Sequence, residues 1–498
     1  GETKYSRILI LQGILATRRN HDGVDLLQQM TIGSSHEVIA LRETGAKMSG
    51  KKPGNEPASS ARGPNHELSA LACPRHAHEV DLFSGGAQEH WYEAYPLLHD
   101  AMPVVRLKGE GPTPDADGFI LTKHEDIARV VKDPERFPPR IHEAIVQIEQ
   151  AQNAGKTLPG VNAMLASMVT LRPSHELYRS HRQELTDPWV GPGASRHTDM
   201  IKDCAHRLID RFIDDPSIDF VQQFARPLPQ MVMANMLGFP EDDIPQLAEW
   251  GNAQVAAFVY GKGHRNLLSQ AESEAQFKKL EAFKAYVQGH VAAKRAQPQD
   301  DMISWLTQVH YEALDRPLTD LEVNGVVYAM IIGGLETTQY ALEEAAQLIC
   351  DRPGLWHTLQ AKPTLIRNFV EESMRLRSPT QGLSTRLTAY DEDFQGVKVP
   401  KGSLLHLRFG AGNVDPDEWD CPFDLNLARK ALTRHLVFSA GPRVCPGAGI
   451  SRLEQNLAWA ILLERLPGIR YAPNNTFEHQ PGIMLGTLAL YLDITGAD

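Results

Sequence analysis

Between about residue 123 and residue 377 the chain repeats apolar residues every three to four positions. That period predicts amphipathic helices, among them 201–212, 277–294 and one segment running from Thr319 to about Cys350. Alternating patterns are few and short. Residues 104–107 and 118–122 are expected to be strands joined by a turn rich in Gly, Pro and Asp. More strands are expected over 385–409, where 397–402 reads as strand, turn, strand, and a last helix over 449–465 carries Leu453, Leu457 and Ile461 on one face. Long helices with small sheets at the margins predict a fold that is mainly α with small β-sheets.

The first 79 residues lack this regularity. Residues 51–60 are polar and rich in Pro, Gly and Ser, the composition of a flexible linker. The run Met48-Ser49-Gly50-Lys51-Lys52 resembles a bacterial protein start. Residues 1–47 are therefore expected to be upstream translated sequence or a small appendage, with an ordinary N-terminal arm as the equal alternative. The apolar run at 8–16 falls short of the ~18–20 residues needed to cross a bilayer, and no signal-peptide cleavage pattern follows it.

Fifty Lys and Arg against 62 Asp and Glu leave a net charge of −12, which disfavours nucleic acid and anionic membrane surfaces as partners. Cys73, Cys204, Cys350, Cys421 and Cys445 are widely spaced and form no CxxC pair. They suit neither a disulfide framework nor a zinc site, and predict a protein of a reducing compartment, the cytoplasm.

Two segments carry chemistry. The first lies inside the long helix. Thr319-Asp320-Leu321-Glu322 is a capping box, so a helix starts there. Continued to Leu348 or Ile349, it would be about 46 Å long at 1.5 Å per residue. Residues 326–332 are apolar nearly all round, and then Gly333-Gly334-Leu335-Glu336-Thr337-Thr338 interrupts them. Each mid-helix glycine costs about 1 kcal/mol relative to alanine. A Glu in such a setting costs several kcal/mol unless it is paired or watered. Either another body approaches this backbone and Glu336 with Thr337 carries protons to it, or the glycines serve a helix crossing and the Glu reaches solvent.

The second segment is Phe438-Ser439-Ala440-Gly441-Pro442-Arg443-Val444-Cys445-Pro446-Gly447-Ala448-Gly449, which opens the last helix. Cys445 sits just before a helix N-terminus, where unpaired N–H groups and the dipole favour a thiolate. Nucleophile, redox sensor, metal ligand and buried structural cysteine all remain open from this loop alone. A dinucleotide fingerprint is excluded, because Arg452 stands where its third glycine is required.

Phe438-x-x-Gly441-x-Arg443-x-Cys445-x-Gly447 resembles the heme-binding motif of the cytochrome P-450 family, soluble bacterial type. Gly333-Gly334-Leu335-Glu336-Thr337 resembles its oxygen-activating helix, with Glu where Asp is commoner, and Glu372-Ser373-Met374-Arg375 its Glu-x-x-Arg pair. The resemblance extends from about Val80 to the C-terminus and implies one large heme domain, 80–498, after an N-terminal extension, 1–79. It implies heme b, with Cys445 as the axial iron ligand. His175, Arg179, Arg386 and Arg443 would meet the heme propionates, and Phe438 and Gly447 would shape the thiolate loop. Glu336 and Thr337 would be the acid–alcohol pair, and Glu372, Arg375 and Arg429 a structural triad.

The implied activity is monooxygenation, by hydroxylation or oxidative dealkylation, of a small apolar substrate with O2. Electrons would come from a separate ferredoxin or flavodoxin and its reductase, docking near Lys430, Arg434 and Arg452. The substrate pocket is expected to draw on 138–171, 255–260 and 381–385, including Met164, Met168, Val255, Phe258 and Val259. A peroxygenase or isomerase sharing the fold, or a heme sensor, is the alternative. Neither would need Glu336 and Thr337.

Overall fold

The structure, a computed structural model, describes residues 73–84, 86–156, 163–259, 268–382, 385–480 and 482–496. The expectations for 1–72, and for the pocket side chains of Val255, Phe258 and Val259, lie outside the described residues or side chains.

The chain folds as a helical body with small sheets at its margin, as its periodicity predicts. The helices expected at 201–212 and 277–294 are found as Thr198–Asp210 and Gln270–Ala296, and the last helix is Ala448–Arg465. In that last helix the buried side includes Ile450, Glu454, Ala458, Ile461 and Leu462, whereas Leu453 and Leu457 are only partly covered. The helix is thus rolled about one position from the face its leucines suggest, and it packs on Thr198–Asp210.

The segment expected to be one long helix is two. The capping box at Thr319 is present, its Oγ1 accepting from the Glu322 N–H at 3.3 Å. The helix Asp320–Gly334 then stops, and a second, Thr337–Cys350, begins after Leu335 and Glu336. The Thr337 hydroxyl donates to the Gly333 carbonyl at 2.8 Å, the acceptor that the Thr337 N–H would use in an unbroken helix. The first helix is surrounded by Ala163–Leu171, Pro227–Leu237, Ile244–Val259, Gln270–Ala296 and Met302–Gln308. The second packs on Ile366–Leu376 and Ala448–Arg465. Most of the apolar core gathers around these two pieces.

The principal sheet has four strands in the order Val104–Leu107, Gly118–Leu121, Leu404–Leu407, Thr385–Leu387. Gly118–Leu121 and Leu404–Leu407 run parallel, with Gly118 opposite Leu404, and the outer pairs are antiparallel. Around 397–402 the expected strand, turn, strand is found as Val397–Val399, a turn at 401–402 and Leu404–Leu407, but the two strands pair with other partners rather than with each other. The hairpin pairs Glu392–Phe394 with Val397–Val399 through Gln395 and Gly396, both at positive φ, and the chain beyond Lys401 enters the principal sheet instead. A three-stranded sheet joins Arg470–Tyr471, Tyr491–Asp493 and Ser217–Asp219. Among the described residues no helix is long and apolar enough to cross a membrane.

Candidate active site

Cys445 is half-buried in the loop ahead of helix Ala448–Arg465, and its N–H donates to the Phe438 carbonyl at 2.8 Å. Two glycines fix the loop by close approach. Gly441 has φ +70°, and a Cβ there would lie 2.9 Å from the Lys132 Cα and the Val131 carbonyl. A Cβ at Gly449 would lie 2.2 Å from the Gly191 carbonyl oxygen, so the helix start is pressed onto the neighbouring backbone. Burial pushes the Cys445 thiol up, against the pull of the Gly447 and Ala448 N–H groups and the charges of Arg182 and Arg452. Sequence position alone favoured a thiolate; burial outweighs the helix start.

One carboxylate holds both ends of this loop. Glu371 accepts from Arg452 at 2.6 and 3.0 Å and contacts His435 Nε2 at 2.9 Å. The Arg452 guanidinium lies over the Phe438 ring, 4.4 Å from its centroid. Burial opposes the charge of Glu371, but the hydrogen bonds from His435 and Arg452 prevail and bring its carboxyl down to about 2. Beside it, Glu372 accepts from Arg375 at 2.8 and 2.9 Å and from Arg429 at 2.9 Å, so the expected triad assembles. Arg375 also donates to the Asn413 and Pro422 carbonyls at 2.8 and 2.7 Å. Glu372 and Arg375 have no exposed side-chain surface, and this network pins the chain that leads into the cysteine loop.

A cluster of arginines lies on the other side of the loop. The Arg443 guanidinium sits 4.5 Å from the Tyr178 ring centroid, and Arg443 is held below the usual arginine range by burial. Arg386, on the edge strand Thr385–Leu387, is brought to about 10 by burial and by the charge of Arg443. Arg172 is likewise brought to about 10 by burial, with Arg443 and Arg182 adding to the effect. The Nε atoms of Arg172 and Arg443 and both ring nitrogens of His181 are buried with no hydrogen-bond partner among the described residues. Arg182 is paired with Asp187 at 3.0 Å and donates to the Val444 carbonyl at 2.5 Å.

His175 and Arg179 are not brought to this cluster. Both are exposed on helix His175–His181, which turns Tyr178 and His181 inward instead. The i, i+4 spacing puts His175 and Arg179 on one face, as expected, and that face is exposed. Arg172, His181 and Glu371 were not singled out in the sequence. Arg172 stands just before Pro173 and the helix cap Ser174, whose side chain accepts from the Leu177 N–H at 3.2 Å; that cap is the local signal that could have drawn attention to it.

At the helix break the two glycines divide their roles. A Cβ at Gly334 would meet Met233 Sδ at 2.5 Å, so that glycine serves packing, while a Cβ at Gly333 would meet nothing within 4 Å. Ala329, Gly333 and Thr337, at i, i+4 and i+8, are all left at least partly uncovered. The Tyr340 hydroxyl donates to Glu336 Oε2 at 3.1 Å, and burial raises the Glu336 carboxyl against that bond and the charge of Arg226. The Thr338 hydroxyl bonds Ser451 Oγ at 3.0 Å, which ties the break to the helix that Cys445 introduces.

Of the pocket residues named above, Met168 is buried and Met164 packs against the core. Both lie on Ala163–Leu171, which is anchored to the first central helix by the Thr170 hydroxyl on Glu322 at 2.6 Å. The expected basic surface is smaller than its sequence suggests. Arg452 is committed to Glu371 and Arg434 pairs with Glu418 at 2.5 Å, while Lys430 is exposed.

Comparison with known proteins agrees with this frame. A cytochrome P450 family model matches residues 343–487. The polyketide biosynthesis cytochrome P450 PksS of Bacillus subtilis is 31% identical over 398 residues, spanning 78% of this chain and 93% of that protein. The biotin biosynthesis cytochrome P450 of the same organism is 27% identical over 381 residues, 76% of this chain and 90% of that protein. P450BioI, solved in complex with an acyl carrier protein carrying hexadec-9Z-enoic acid, aligns with a TM-score of 0.68 at 24% identity, covering 82% of this chain and 99% of that one. A mutant of P450 EryK in complex with erythromycin B gives 0.67 at 24%, covering 82% and 96%. These two structures speak for the fold alone. A fold shared with solved P450s, and a sequence match that runs nearly the whole length of PksS, place this chain in the cytochrome P450 family of monooxygenases.

Proposed function

We propose that this protein is a heme-thiolate monooxygenase that inserts one oxygen atom of O2 into a small apolar organic substrate, by hydroxylation or oxidative dealkylation. It would bind heme b through Cys445 and receive electrons from a separate ferredoxin or flavodoxin with its reductase. The observation that carries this reading is the Thr338–Ser451 hydrogen bond at 3.0 Å, which couples the broken helix bearing Glu336 and Thr337 to the helix opened by Cys445.

The residues present suit the cofactor. Arg172 and Arg443, whose Nε atoms are buried without a partner among the described residues, and the buried Arg386 beside them call for an anion, and heme carries two carboxylates. Cys445 offers a single soft ligand, with two backbone N–H groups directed at its sulfur. When bound, the heme supplies the activation of O2, and a thiolate ligand favours cleavage of the O–O bond.

The chain's own part is to bind, position and meter protons. Arg172, Arg386 and Arg443 hold the carboxylates, and the Glu371–Arg452–Phe438 stack keeps the cysteine loop in place. Gly333 leaves a face of the central helix free of side chains. Thr337, hydrogen-bonded to the Gly333 carbonyl, orients its hydroxyl there, and Glu336, whose carboxyl burial raises above its ordinary value, stands behind it as the next proton carrier. Lys430 and the exposed part of Arg434 would meet an acidic electron donor. The five free cysteines support a reducing, cytoplasmic setting.

An apolar substrate agrees with the names of relatives. They include polyketide and biotin biosynthesis enzymes and a steroid C26-monooxygenase of Mycobacterium tuberculosis that is 27% identical over 407 residues. The test is a reduced carbon monoxide difference spectrum, followed by spin-shift titration with hexadec-9Z-enoic acid, testosterone and erythromycin B. A thiolate-type spectrum that Cys445→His abolishes, with a spin shift from at least one probe, is expected. Nitrogen ligation, or no bound pigment in purified protein, overturns the reading.

A further inference from the structure

Helix Thr337–Cys350 carries more buried acid than its packing requires. Glu343 and Glu344 are adjacent, both essentially without exposed surface, and two buried carboxyls cost several kcal/mol unless each has a reason to be there. Resting on the acid–alcohol reading of Glu336 and Thr337, we propose that the face of this helix bearing Tyr340, Glu343 and Glu344 conducts protons from solvent to Glu336, entering at Glu89 and His479.

Contacts define the two ends of this path, and helical spacing joins them. Glu89, partly exposed, meets His479 Nδ1 at 3.3 Å and accepts from the His479 N–H at 3.1 Å. His479 Nε2 lies 3.5 Å from Glu344 Oε1. Glu344 neighbours Glu343 in sequence, and their charges act on each other. One helical turn back, the Tyr340 hydroxyl donates to Glu336 Oε2 at 3.1 Å. Positions 336, 340 and 343 stand at i, i+4 and i+7, one side of the helix, and span about 10 Å of its axis. The charge of Arg226 works against the rise of both Glu336 and Glu343. The Tyr340 ring is held by close packing, since a Cβ at Gly486 would lie 2.0 Å from it.

The surroundings set the proton occupancy. Glu343 accepts from the Gln339 amide at 2.8 Å and the Thr487 hydroxyl at 3.4 Å, both neutral donors, and faces Glu344 and Arg226. Burial, aided by the Glu344 charge, lifts its carboxyl to about 8, so it carries a proton at neutral pH. His479 faces Glu344 and Glu89; burial works against its charge, yet these partners raise it to about 9. Glu344 also accepts from Gln347 at 3.0 Å and is felt by Arg377, Tyr92 and Tyr471. A charged imidazolium at the entrance and a protonated carboxyl midway are the states a relay needs. For each proton that leaves Glu336 one enters at Glu89 and His479. Every carboxyl and the Tyr340 hydroxyl gives one as it takes one, and nothing is oxidised.

The test reduces purified holoprotein with dithionite and mixes it with air-saturated buffer without organic substrate. The return of its visible band is followed in H2O and D2O between about pH 6 and about pH 9. Glu343→Gln, an isostere with no proton to release, and Tyr340→Phe are each expected to slow the return at least about tenfold and to flatten the isotope effect and the pH profile. The carbon monoxide spectrum and melting temperature should stay as in the parent. A protonated-carboxyl band in the parent-minus-Glu343→Gln infrared difference spectrum at neutral pH is the second expected result. Parent-like kinetics in both variants, or no such band in the parent, overturns the route. Thr337→Ala is run alongside. If it slows the return while the other two do not, only the route falls; if it too changes nothing, the acid–alcohol reading falls with it.

Discussion

The hydroxyls of Thr338 and Ser451 meet at 3.0 Å, and Ser451 also accepts from Gln455 at 3.2 Å. Thr338 is one residue past the candidate proton donor and Ser451 is six past the candidate iron ligand, so this contact sets the separation of the two halves of the site. A movement of either helix is felt by the other through this contact.

Thr337→Ala removes the hydroxyl bonded at 2.8 Å to the Gly333 carbonyl and leaves the backbone around it unchanged in composition. The variant should keep heme and probe binding as judged by the visible spectrum. Product formed per electron consumed should fall several-fold, with hydrogen peroxide accounting for the difference. Oxygen uptake, peroxide and product measured together check this. Unchanged coupling removes Thr337 from the proton path.

Arg172→Met and Arg179→Met separate the inward side of helix His175–His181 and its approach from the outward side. Arg172 is half-buried, with a buried Nε that has no partner among the described residues, and Arg179 is exposed. Loss of a charge-assisted contact of about 1.5–3 kcal/mol predicts heme release to apomyoglobin at least about tenfold faster for the Arg172 variant, and near the parent rate for the Arg179 variant. The reverse order would restore the assignment that the family resemblance implies.

Arg375→Ala takes two hydrogen bonds from Glu372, whose carboxylate has no exposed surface, and leaves it a single guanidinium hydrogen bond, from Arg429. Removing one partner of a buried pair costs about 3–5 kcal/mol. Urea unfolding of the holoprotein should show a loss of that order, with Arg429→Ala losing less because Arg375 still answers the charge.

Glu371 gives the fold an acid limit. Its carboxyl is held at about 2 in the folded chain, below its ordinary value, by His435 and Arg452. A depressed carboxylate stabilises the folded state above its unfolded value of about 4.3, and that contribution disappears as pH falls toward about 2. Its size at neutral pH is at most about 3 kcal/mol. Glu371→Gln should therefore melt lower than the parent at neutral pH, and the two melting curves should converge as the pH approaches about 2. Differential scanning calorimetry across that range checks it; a constant gap between the two would refute the assignment.

The sequence carried its chemistry in short, local segments, and those were legible. Cys445 just ahead of a helix start, the glycine pair beside Glu336, and the Glu372–Arg375 spacing all depend on neighbours within a few positions. The break at Leu335 and Glu336 was legible only as a tension, because nothing local says whether a helix bends or tolerates two glycines. Helix roll was not legible. Spacing correctly put His175 and Arg179 on one side, but which side meets the core depends on Tyr178 and His181 finding the arginine cluster. Glu371 was hidden for the same kind of reason: its partners Arg452 and His435 are distant in sequence, and a glutamate beside the Glu372 pair reads as a surface charge until the fold joins them.

The crowding of Arg172, Arg386 and Arg443 bears on how the protein is made. On the proposed function, cations that reinforce one another's burden, with the Nε atoms of Arg172 and Arg443 buried without a partner among the described residues, would leave the polypeptide a partial object until a porphyrin dianion settled among them. In a cell short of iron, the newly synthesised chain would wait in a looser, protease-sensitive form, so its abundance would follow pigment supply rather than transcription alone.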